Sequence, residues 1–212
     1  MLTRYQNNHF PVITMENDKN HIIKVYSMIH IAPQSFYNGI EKQLNSDYEN
    51  DYVIHMEGVS GGNLTLKESY SRIAQAIGVT TQYELLKDLD FIKHDMTYDD
   101  LSWINQKRLH VICKMASRSA EIVEKNEKIQ EKFREQLQSE DMKNSDSGLV
   151  KNILLGNSIT TERSYYAAYK AIEDDRNVSL VWGKAHAEEI VETLMKNGYH
   201  MKEEFSNILS LD

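Results

Sequence analysis

The sequence predicts an α/β fold: a central mixed, largely parallel β-sheet with helices on both faces, an N-terminal β-hairpin and a long charged helix. Three observations predict it. Short apolar runs rich in β-branched residues occur at 22–29, 52–56 and 177–182. Segments of helical periodicity separate them. Polar turn clusters punctuate the boundaries. Strands that alternate with helices form a sheet that needs a helical layer on each face.

The elements follow in chain order. The patch Phe10–Thr14, the turn chemistry of Glu16–Asn20 and the strand Ile22–Ile29 form the hairpin. Pro33 opens a helix through Leu44, because proline is tolerated in a first helical turn, and the polar cluster Asn45–Asn50 ends it. The strand over 52–56 leads to Glu57 and Gly58. The loop Ser60–Asn63 is either a turn or a place where backbone approaches a ligand. A helix covers 65–77, and Gly78–Gln82 is a short strand. Thr81-x-x-Glu84 has capping-box form and starts a short helix over Tyr83–Leu89. Phe91–Asp95 is another short strand.

Thr97-x-x-Asp100 begins a long helix with Leu101, Ile104, Leu109, Ile112, Met115 and Ala116 on its buried side. From Arg118 to Glu140 that helix becomes highly charged, and Ile122, Ile129, Phe133 and Leu137 leave it one sparse apolar face. It reads as a solvated helix packed on one side, or as a partner-binding or lid helix. Met142–Gly148 is a loop, Leu149–Leu155 a short helix stopping at Gly156, and Thr160–Glu173 a longer helix. The strand Asn177–Trp182, a helix over Ala187–Asn197 with Gly198 at its C-cap, and a strand over Tyr199–Phe205 complete the chain. There is no internal repeat. The 212 residues make one domain, with 118–147 as a charged helix and loop excursion.

Composition narrows the function. Net charge is −8, which argues against a nucleic-acid partner. The single cysteine, Cys113, excludes an intrachain disulfide framework and reads as packing within a helix. The first residues are too polar for a signal peptide, and no apolar run approaches the ~20 residues of a membrane span. The chain is therefore expected to be cytoplasmic, and a homodimer is compatible with it. His-Glu-x-x-His, Gly-x-Ser-x-Gly and phosphate-loop patterns are missing.

Two strand-to-histidine junctions read alike: the run 22–30 ends at His30 and the run 177–186 at His186. Each has a small residue, Ser27 or Gly183, three positions before its histidine, and Gly183 is expected there to let the chain bend sharply after its strand. The third strand ends in Glu57. Ligands of open α/β sheets sit at the carboxyl ends of the strands, so these three side chains are expected to converge. Two imidazoles and a carboxylate are a familiar catalytic ligand set for a divalent metal (manganese, cobalt or zinc) that leaves a water position open. The set also suits iron. The competing reading is structural, since most of the eight histidines of such a chain serve packing or the surface. A carboxylate ending an apolar strand, however, needs a partner or a reason. Arg163, beside Glu162, is placed either to fork onto a carboxylate or to form a surface pair. Asp95, beside His94, is a fourth ligand, an orienter of a histidine, or a charge at a helix N-terminus, the last being favoured locally. His55 and the Tyr165, Tyr166 and Tyr169 cluster read as structural.

The motif Val181-Trp-Gly-Lys-Ala-His186, followed by Glu189 through Gly198-Tyr199, resembles the closing motif of the TraB/PrgY/GumN family. That family includes the TIKI metalloproteases and is related to ChaN-like and erythromycin-esterase-like folds. Ser27-Met-Ile-His30 with Pro33–Tyr37, Val53-Ile-His-Met-Glu57-Gly58-Val59, the segment Gly78–Gln82, and Glu162-Arg163 are similar in order and spacing, over roughly 22–200. The first element departs from the family in carrying Ser27 where relatives have glycine. The resemblance implies a metal-dependent hydrolase of peptide or amide bonds, activated by manganese or cobalt. His30, His186 and Glu57 would hold the metal, with Glu57 as ligand or general base, Arg163 holding substrate, and Asp95 assisting. Related bacterial proteins shut down peptide pheromone signals. A non-catalytic pheromone-like peptide-binding protein, and an enzyme acting on small esters, are the alternatives.

Overall fold

The computed structural model describes residues 12–85, 87, 89, 92–138 and 156–203. Eight strands and seven helices are present among them: β1 Val12–Asn17, β2 Ile22–Met28, β3 Ile31–Ala32, α1 Gln34–Glu49, β4 Val53–Met56, α2 Leu66–Ile77, β5 Thr80–Thr81 and α3 Gln82–Leu85. Then follow β6 Ile92–Lys93, α4 Trp103–Glu124, α5 Glu127–Gln138, α6 Gly156–Glu173, β7 Val178–Gly183, α7 Lys184–Lys196 and β8 Tyr199–Glu203. Six strands form one sheet in the order β6-β4-β7-β2-β1-β8, and β3 pairs with β5 in a separate ribbon. The pairs β6–β4, β4–β7 and β7–β2 are parallel, whereas β1 is antiparallel to both β2 and β8. The predicted α/β class, with its mixed and mostly parallel sheet, is therefore the observed one.

The central strand explains why this pattern was readable. β7 is buried along its whole length, as a parallel strand covered on both faces should be. One face packs α6 and α7 through Ala167, Ala168, Ala171, Ile190, Val191 and Leu194 onto Ile23, Val25, Leu180 and Trp182. The other packs α1 through Tyr37, Ile40 and Leu44 onto Tyr26, Met28, Ile54 and Met56. In the β1–β2 hairpin, Asn17 Oδ1 accepts from the Lys19 and His21 amides and Asn20 takes positive φ, the turn chemistry expected there.

A buried carboxylate ties α1 to the sheet. Asp47 accepts from Ser179 Oγ at 2.7 Å and from the Tyr26 hydroxyl, and pairs with Lys24 Nζ. Asp47→Ala would strip all three donors of their acceptor. A stability loss of about 3 kcal/mol is expected in urea denaturation. A loss under ~1 kcal/mol would mean that packing alone holds α1.

Several boundaries differ from the sequence reading. α1 runs on to Glu49, beyond Leu44. The Thr97–Asp100 capping box is present, but it closes a single 3-10 turn over Tyr98–Asp100, and α4 starts only at Trp103. The long charged helix is two helices that break at Lys125–Asn126, where Asn126 Oδ1 accepts from the Ile129 amide at 3.3 Å. Its apolar face packs only in part: Ile129 packs against Ala120 and Val123, while Ile122 and Phe133 are exposed, and Ile104 and Met115, expected on the buried side of α4, are exposed as well because Leu109, Ile112 and Cys113 take the inward face. α6 begins at Gly156 and α7 at Lys184. Phe10, Pro11, Phe91, the Met142–Gly148 loop, the Leu149–Leu155 helix and Phe205 lie outside the described residues. Among those described, no helix is long and apolar enough to cross a membrane.

Candidate functional site

Strands β6, β4, β7 and β2 are consecutive and parallel, so their carboxyl ends share one edge of the sheet. Glu57 follows β4 directly, Asp95 lies two residues past β6, His30 two past β2, and His186 in the first turn of α7 after β7. Arg163 reaches the same edge from the middle of α6.

Glu57 is the hub. It is 6 % exposed. Its Oε1 accepts from Arg163 Nη2 at 2.7 Å, and its Oε2 from the Gly183 amide at 2.6 Å. His186 Nε2 stands 3.4 Å from Oε1 and His30 Nε2 4.0 Å from Oε2. A carboxylate has about four lone-pair sites, so each oxygen keeps one directed toward the imidazoles. Burial pushes the Glu57 carboxyl up, but the Arg163 guanidinium, the largest opposing influence, holds it well below the usual carboxylate range.

Gly183 is needed here for space. Its φ of −54° is open to any residue, so the sharp bend expected from its sequence position is not what requires glycine. A Cβ at this position would lie 2.8 Å from Glu57 Oε2 and 3.2 Å from His30 Nε2. Ser27 is not its structural counterpart: Ser27 pairs with Trp182, and Met28 faces Gly183. The two junctions that look alike in sequence thus diverge, one running on into extended β3 and the other directly into α7.

Each imidazole is oriented differently. Ser164 Oγ donates its one proton to Thr160 O at 2.6 Å, so it accepts from His186 Nδ1–H at 2.9 Å. With Nδ1 engaged there, Nε2 is the atom that His186 turns toward Glu57. His30 lies nearly parallel to Tyr70 (centroids 5.5 Å apart, 14° between planes) and to Tyr83 (6.4 Å, 4°). Tyr37 Oη donates to Ile29 O at 2.6 Å and fixes the backbone just before it. Burial lowers the His30 pKa against the pull of Glu57, keeping the ring neutral near pH 7. Burial, with Glu57 nearby, pushes the Tyr70 phenol up to about 12, so it remains a donor.

Arg163 is clamped by two carboxylates. Asp95 takes its Nη2 at 2.6 Å and its Nε at 3.2 Å, while also accepting from the Gly58 amide at 2.8 Å and the Met96 amide at 2.8 Å. Burial opposes the Arg163 charge, yet Asp95 and Glu57 raise its pKa well above the ordinary value. Asp95 is therefore an orienter of Arg163; the locally favoured reading, a charge at a helix N-terminus, does not describe it. The guanidinium lies 5.5 Å from the centre of the Trp182 rings.

Of the residues singled out in the sequence, His30, Glu57, His186 and Arg163 meet directly and Asp95 joins through Arg163. Glu162 does not; it binds Asn105 Nδ2 and the Ser102 amide, fastening α6 to the start of α4. His55 and His94 pack against each other at 4.0 Å, with His55 Nε2 3.4 Å from Asp174. In the Ser60–Asn63 loop, Gly61 and Gly62 take positive φ, and a Cβ on Gly62 would overlap the Tyr98 ring, so close packing requires it. Tyr165 and Tyr169 are exposed on α6. Ser164, Tyr70 and Tyr83 were not anticipated, since only the fold brings them to the histidines.

The donor set fits a divalent cation in chemistry: two imidazole Nε2 atoms and a carboxylate, with space kept at Gly183. Two donors on one ion at 2.0–2.2 Å lie at most about 4.4 Å apart, a bound that each imidazole meets separately, His186 with Oε1 at 3.4 Å and His30 with Oε2 at 4.0 Å. As positioned, no group of three or more His, Cys, Asp or Glu side chains among the described residues closes around one point. Compared with known proteins, the chain matches no family model, no curated protein and no solved structure.

Proposed function

We propose that this protein is a metal-dependent hydrolase of peptide or amide bonds, of the TraB/PrgY/GumN kind that its motifs resemble. The observation carrying the reading is that both oxygens of one buried carboxylate face an imidazole Nε2, beneath a glycine whose side chain would fill the gap. His30, His186 and Glu57 would hold the ion. A divalent cation would supply a Lewis acid and lower the pKa of water. Glu57, held ionised, is suited to being a ligand; its depressed pKa makes it a weak base at neutral pH. Arg163, fixed by Asp95, supplies a positive charge for a developing oxyanion.

A second reading, a peptide-binding protein without catalysis, is favoured by one observation: both Glu57 oxygens already accept hydrogen bonds from within the protein. One experiment separates the two. Purified protein is dialysed against manganese, cobalt or zinc, analysed for bound metal, and assayed on a peptide library with and without chelator. The hydrolase reading expects one equivalent of metal, lost in His186→Ala, and cleavage abolished by chelator. Metal-free protein that still binds peptide would establish the second reading. Cleavage that survives the chelator would instead show metal-free hydrolysis.

A further inference from the structure

The outer face of α4 lies beyond the proposed site. Leu109, Ile112, Cys113, Ala120 and Val123 turn inward. Ile104, Val111, Met115 and Ile122 are 54 %, 53 %, 40 % and 48 % exposed. At 100° per residue these four fall within an arc of about 40°, a straight apolar stripe along the helix. Lys107, Lys114 and Arg118 flank it on one side and Arg108 on the other, all exposed. Between Asp100 and Glu121 there is no acidic residue, in a chain whose net charge is −8. Trp103, 66 % exposed, stands at the head of the helix with Lys107 Nζ 3.8 Å from its ring centre.

We infer that this face of α4 docks on an anionic membrane surface. An apolar stripe bordered by cations with a tryptophan at one end matches a helix lying in the headgroup plane: aliphatic side chains enter the acyl boundary while lysine and arginine reach lipid phosphates. Charge decides between occupants. A second copy stacked on the same stripe would bring two cationic borders together, whereas anionic lipid complements them. Docking of this kind brings the site to membrane-associated peptide, a consequence that rests on the proposed function.

The test is co-sedimentation of the full chain with phosphatidylcholine vesicles, with and without about one third phosphatidylserine. Binding is expected to the anionic vesicles only, and to weaken as salt rises from ~0.1 to ~0.5 M. Lys107→Gln with Lys114→Gln should weaken it about 25-fold, near fivefold per charge. Val111→Ser with Met115→Ser should weaken it about tenfold or more, with unchanged circular dichroism because both sites are exposed. Protein that stays in solution with anionic vesicles overturns the inference, as does binding that ignores both double variants. A concentration-dependent dimer that Val111→Ser with Met115→Ser abolishes would assign the stripe to a second copy and also overturn it.

Discussion

Glu57→Gln is expected to lower hydrolysis by about 10²-fold or more, at least the loss that follows removal of a group supporting a metal ligand, because it removes the one negative charge facing both imidazoles. The substitution is not silent structurally. Glu57 accepts from Arg163 on one oxygen and from the Gly183 amide on the other. A glutamine has one oxygen, so in either orientation its NH2 confronts a donor. A stability loss of about 1–3 kcal/mol should accompany the loss of turnover. Activity is therefore compared at a temperature where circular dichroism shows the variant folded. Full turnover in folded Glu57→Gln would remove Glu57 from the chemistry.

Arg163→Met should have the largest effect on stability, about 3–5 kcal/mol at pH 7, because it leaves buried Glu57 and Asp95 without their shared cation. The pH dependence should also change sign. In the native protein the Glu57 pKa is depressed, so its contribution is present above the unfolded value near 4.3 and is lost as pH falls through the lower folded value. Without Arg163, burial dominates and the folded pKa rises. The variant should then gain relative stability on acidification from pH 7 toward 5, to the extent that His186 does not take over as the cation. Urea midpoints at both pH values read this directly. Parallel pH profiles with a deficit below ~1 kcal/mol would show that the clamp is not an energetic keystone.

The strands that build the site were legible because they are covered on both faces and so are short, mostly apolar runs, β7 with Ser179 as its one polar side chain. The meeting of His30, Glu57 and His186 was legible for a topological reason, since parallel neighbours end at one edge. Roles set by distant partners were not legible. Asp95 reads locally as a helix-start charge, and only the arginine 68 positions away makes it an orienter. Ser164 beside His186, and the tyrosines flanking His30, likewise depend on packing between segments remote in sequence. The break between α4 and α5 has no glycine or proline to mark it; asparagine side-chain capping suffices. Gly183 was singled out correctly but for the wrong physical cause.

The distribution of the ionic centre over α6, α7 and the segments after β2, β4 and β6 bears on how the molecule acquires it. Residues 30, 57, 95, 163 and 186 have no local precursor, and loop-closure entropy must be met before any of their attractions is realised. The centre should assemble only after the parallel strands have docked, so an excised fragment lacking either the first strand or the last strand would carry the same residues without the arrangement.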